Sequence, residues 1–73
     1  MKMTVEFVIK NNSRPIISLN VEEKVSDIIR SDFTLYMMST SPTPDLYFKT
    51  YEQEGMEVII DLRVIASIMI IKK

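Results

Sequence analysis

The chain contains no cysteine, no histidine and a single glycine among its 73 residues. Without cysteine there is neither a disulfide nor a thiolate site. Without histidine, the commonest metal ligand and the usual side chain for proton transfer near neutral pH are both missing. One glycine cannot build a Gly-rich loop that cradles phosphates. Long apolar runs are missing as well. The longest, residues 68–71, falls far short of the roughly 20 residues that cross a bilayer. Met1-Lys2-Met3-Thr4-Val5-Glu6 lacks the apolar core and small-residue cleavage site of a signal peptide, so a cytoplasmic location and no membrane contact are expected.

Charge of one sign is also absent. Nine Lys and Arg stand against ten Asp and Glu, a net charge of −1. Such a balance gives no electrostatic footprint for duplex nucleic acid. The carboxylates are scattered: Glu22 and Glu23 suit a helix start, Glu52 and Glu54 a turn, and Asp61 another turn. No acidic spacing cages a divalent ion. These absences predict a non-enzymatic chain with no catalytic residue, no cofactor and no metal.

What is there is apolar and β-branched. Hydrophobic residues make up 47% and charged residues 26%, the balance of a globular chain. Residues 1–73 are expected to form one domain, near the lower end of what folds alone. At that size a core stabilises by only about 3–5 kcal/mol, so a disulfide, a metal or a partner subunit usually helps. With the first two missing, a partner subunit remains.

Met3, Val5, Phe7 and Ile9 alternate with Lys2, Thr4, Glu6 and Lys10, the period of a strand. Asn11-Asn12-Ser13-Arg14 is turn chemistry, and residues 15–19 read as a returning strand with Pro15 at its start. Asn20, with Glu23 three residues on, has the spacing of a capping box. Val21, Val25, Ile28 and Ile29 then form a helical stripe. Phe33, Leu35 and Met37 alternate and predict a third strand over residues 33–38. Residues 39–45 form a Ser/Thr/Pro loop, residues 46–51 a fourth strand, and residues 52–55 a turn holding the only glycine. A fifth strand covers residues 56–61, and a sixth, residues 64–71, follows a short helical-type turn at Asp61-Leu62-Arg63. The predicted order is β-β-α-β-β-β-β. It makes a small α+β domain: a mostly antiparallel sheet, curled or partly closed into a barrel, with one helix packed on one face. The strand–Asp-Leu-Arg–strand close resembles the terminal hairpin of Sm-like and SH3-like small barrels. It covers under a quarter of the chain and lacks the glycines of the Sm pattern, so it assigns no family.

The last strand is apolar on both faces, and one short helix covers only one side of a sheet. Each large aliphatic side chain left in water forfeits about 1.5–3 kcal/mol of burial. A homo-oligomer, dimer or higher, is therefore expected through the last two strands, with Ile59, Ile65, Met69 and Ile71 at the interface. The function expected is protein–protein interaction or assembly, and a compact, cofactor-free chain of this kind suits a phage or mobile-element accessory protein. The alternative is a binder of single-stranded nucleic acid. Tyr47, Lys49 and Tyr51 alternate on one strand face, and Tyr36 would extend a base-stacking platform. The acidic balance weighs against it. Asp61 and Arg63 are expected to form a turn ion pair.

Overall fold

The computed structural model describes residues 1–11 and 15–72. Strand β1, Lys2–Ile9, pairs antiparallel with β2, Pro15–Glu22, in the register Val5 to Leu19 and Phe7 to Ile17. Asn11 adopts a left-handed φ of 68°, while the rest of the expected turn, residues 12–14, lies outside the described residues. Alternation puts Met3, Val5, Phe7, Leu19 and Val21 on one face, all buried.

Helix α1, Glu23–Met38, lies against that face. It starts later than the capping-box spacing predicts. Asn20 and Val21 continue β2, with Val21 taking the next inward position after Leu19, and Glu22 is the N-cap, without a side-chain hydrogen bond. The Glu23 amide instead donates to the Met1 carbonyl at 3.0 Å, so neighbouring chain satisfies one open donor of the first turn. Ser26 is fully buried and returns its hydroxyl to the Glu23 carbonyl at 2.7 Å. A side chain this small, satisfied within its own turn, suits a close helix–sheet approach.

The third strand expected over residues 33–38 does not form; these residues are the last turns of α1. The alternation of Phe33, Leu35 and Met37 is overruled by a second spacing. Val25, Ile29, Phe33 and Tyr36 fall at i, i+4, i+8 and i+11, and all four pack into or against the core. Leu35 and Met37 are left exposed. The helix stops at Ser39, whose amide donates to the Tyr36 carbonyl at 3.2 Å, ahead of the Ser/Thr/Pro loop. One further turn of helix, α2, Pro44–Tyr47, leads out of that loop.

Strands β3, Phe48–Gln53, and β4, Met56–Asp61, form a second antiparallel hairpin. A 3-10 turn, Leu62–Val64, follows, as the helical-type turn predicted. It does not close a hairpin, because β5, Ile65–Lys72, leaves β4 and pairs with β1. Among the described residues the fold is thus small α+β: five strands in two antiparallel sheets, β2-β1-β5 and β3-β4, with one long helix, and the sheets do not close. Tyr51, Ile60, Leu62 and Ile65 complete the core that the first sheet and α1 begin.

Candidate functional site

Strand β5 is the last strand of its sheet. Among the described residues it pairs with β1 alone, and its other edge has no strand neighbour. The opposite edge of that sheet, β2, is approached by β3, where the Asn20 amide donates to the Gln53 side-chain oxygen. The register with β1 fixes which way β5 faces. Ile68 and Ile70 stand opposite Phe7 and Val5, on the helix side, and are half-buried. Ser67, Met69 and Ile71 stand opposite Val8, Glu6 and Thr4, on the far side, away from α1. Met69 is 42% exposed and Ile71 45%. Between Val8 and Ile9 the register shifts, leaving Ala66 as an extra residue, so Ile65 returns to the core face opposite Ile9.

The four residues expected at an oligomer interface therefore part company. Met69 and Ile71 share one exposed sheet face. Ile59 is 73% exposed but lies on β4, in the other sheet. Ile65 is 1% exposed and belongs to the core. The bulge at Ala66 makes the difference. Without it, Ile65 would have the same parity as Met69 and Ile71 and would point outward with them.

The four residues expected to stack bases do not share an exposed face. Strand alternation puts Tyr47, Lys49 and Tyr51 on one expected wet face and Phe48 on the opposite one. The structure reverses the sides: Tyr51 is buried in the core and Phe48 is 49% exposed. Tyr47 closes α2 rather than sitting in the strand, and Tyr36 is on α1, both packed against the core. The Tyr51 hydroxyl donates to Asp32 of α1 at 2.8 Å, and Lys49 reaches the same carboxylate at 3.9 Å. Burial, then the hydrogen bond to Asp32 and its negative charge, raise the Tyr51 pKa far above its ordinary 10.0. An amphipathic ring that finds a polar partner for its hydroxyl can sit inside, and Asp32 was that partner.

A second surface feature surrounds the 3-10 turn. Asp61 accepts from the Arg63 amide at 2.9 Å and grips the Arg63 guanidinium through Nε and Nη2 at 3.0 and 2.8 Å. The same guanidinium lies over the Tyr47 ring, 4.1 Å from its centre, and 5.2 Å from that of Phe48. Tyr47 and Phe48 meet edge to face with centres 4.8 Å apart. Hydrogen bonding from Arg63 holds the Asp61 carboxyl below its ordinary range. This arrangement anchors the turn where the chain passes from one sheet to the other. It was expected as an ion pair, but its aromatic floor was not, because α2 and the turn are distant in sequence.

Comparison with family models, with curated proteins and with solved structures gave no match. No helix among the described residues is long and apolar enough to cross a membrane.

Proposed function

We propose that this chain is a cytoplasmic, non-catalytic protein–protein interaction module that associates with copies of itself through its C-terminal strand. The observation that supports the reading is the outer edge of β5, with which no strand pairs among the described residues and whose side chains are largely aliphatic. Such an edge offers unpaired amides and carbonyls to another strand. Sheets that must stay single blunt it with inward charges, proline or a covering loop. Here the only charge within β5 is the terminal Lys72. Met69 and Ile71 add apolar surface beside the edge, and covering it recovers burial that one chain forgoes.

Sedimentation of the wild type beside a Met69→Lys/Ile71→Lys double variant tests this reading. The wild type is expected to associate at micromolar concentration. The variant is expected to run as the 8.5 kDa monomer with an unchanged circular dichroism spectrum. A wild type that stays at 8.5 kDa throughout the range overturns the proposal.

A further inference from the structure

Resting on that reading, we infer that two copies pair β5 to β5 antiparallel about a two-fold axis through Met69, joining two three-stranded sheets into one. A two-fold interface brings one surface patch against itself, so residue i meets j wherever j meets i. In a continuous antiparallel sheet, residues directly opposite each other point to the same face. That condition removes every register centred between two residues, because each would set a helix-side isoleucine against an outward side chain.

Three registers remain near the middle of the strand. Centring on Ile68 runs the pairing into the bulge at Ala66 and sets Ile71, which faces outward, against Ile65, which faces the core. Centring on Ile70 drives the Lys72 ammonium into the pairing opposite Ile68, on the face that each α1 covers. Centring on Met69 uses all of residues 67–71, the stretch bounded by the bulge on one side and Lys72 on the other. Ile68 then meets Ile70 on the helix side. Met69 meets Met69 and Ser67 meets Ile71 on the outer face, and no two like charges stand opposite within the paired stretch.

The absence of cysteine makes the register directly readable. Opposite residues in an antiparallel pair have Cα atoms about 4.5–5.5 Å apart, within the roughly 4.4–6.8 Å that a disulfide spans. Met69→Cys is therefore expected to give a covalent dimer under mild oxidant. Ser67→Cys or Ile71→Cys alone should not, since each would lie about 13–14 Å from its own copy along the strand. Mixed together, those two variants should cross-link with each other. The Met69→Cys dimer should form roughly tenfold faster than one from Ile59→Cys, an exposed control on the other sheet, since pairing raises the local thiol concentration. If sedimentation shows a dimer but Ser67→Cys, Ile71→Cys or Ile59→Cys cross-links alone as fast as Met69→Cys, this register is overturned while self-association stands. If sedimentation shows only monomer, both fall.

Discussion

The Tyr51 hydroxyl donates to the Asp32 carboxylate at 2.8 Å, tying the second hairpin to the middle of the long helix. The proton in that bond has a pH signature. Burial and the neighbouring carboxylate keep Tyr51 protonated in the folded protein well beyond 10.0, its ordinary value, at which the unfolded chain releases the proton. Below that pH both states hold the proton and the contact contributes in full. Above it, deprotonation favours the unfolded chain by about 1.4 kcal/mol per pH unit. Tyr51→Phe should cost about 1.5–3 kcal/mol near neutral pH, the range for a hydrogen bond to a charged group. The gap to the wild type should narrow from pH 10.0 upward, measured by urea unfolding at each pH. A gap that stays constant into the alkaline range would mean that this proton is not held as described.

Arg63 makes two kinds of contact at once, a forked bond to Asp61 and a stack over Tyr47. Lysine carries the charge but neither forks nor lies flat on a ring. Arg63→Lys should therefore lower the Tm at neutral pH about as much as Arg63→Ala. The Asp61 carboxyl has a lowered pKa when folded, so its contribution is present above its ordinary 3.8 and is lost as pH falls through the lowered value. The difference in Tm between wild type and Arg63→Lys should shrink over that acid range, down to what the ring contact alone supplies. Full rescue by lysine at neutral pH would leave the fork and the stack without a role.

Much of this fold is written in local patterns. β1, β2, the loop after α1, and β3 with β4 are all legible as alternation, turn residues and proline. Residues 33–38 misled because Phe33, Leu35 and Met37 satisfy a strand period while Phe33 and Tyr36 continue a helical one begun at Val25 and Ile29. A helix start at Asn20 selects the stripe Val21, Val25, Ile28 and Ile29 and puts Ile28 inside, whereas the helix that starts at Glu23 leaves Ile28 exposed. Side-chain parity on β3 was readable, but which side was wet was not, because that depended on Asp32 reaching Tyr51 from another element. The doubly apolar character of β5 predicts a strand covered on both faces, whereas β5 ends its sheet and leaves Met69 and Ile71 exposed on the outer face. Its pairing with β1, across nearly the whole chain, had no local signal, and neither did the bulge that turns Ile65 inward.

The two neighbouring isoleucines of α1 separate these two stripes by experiment. Ile29 has no exposed surface, whereas Ile28 is 52% exposed. Ile29→Ala should cost about 2–5 kcal/mol, lost burial plus the cavity left behind. That is comparable to the whole stability of a domain this size, so the variant should be largely unfolded by circular dichroism. Ile28→Ala should stay within about 0.5 kcal/mol of wild type, as surface changes do. Equal losses at both positions would mean that the helix is rotated on the sheet relative to the arrangement described.

The second hairpin offers a prediction free of side-chain contacts. Gln53 pairs with Met56, so Glu54 and Gly55 alone make the turn, with φ of 49° and 83°. Two consecutive left-handed residues match the right-handed twist of the flanking strands, and Asn-Gly is the favoured pair there. A Cβ built on Gly55 meets nothing within 4 Å, so alanine would fit in space but not in backbone angle. Gly55→Ala should therefore cost about 1–2 kcal/mol through strain alone. Glu54→Asn should move the other way, by about 0.5–1 kcal/mol, because asparagine tolerates a conformation that glutamate resists. Urea titrations with unchanged m-values would assign both shifts to stability rather than to a changed unfolded state. Were Gly55→Ala neutral, the turn would have to adopt another geometry, and the register that sets Tyr51 opposite Val58 would be in question.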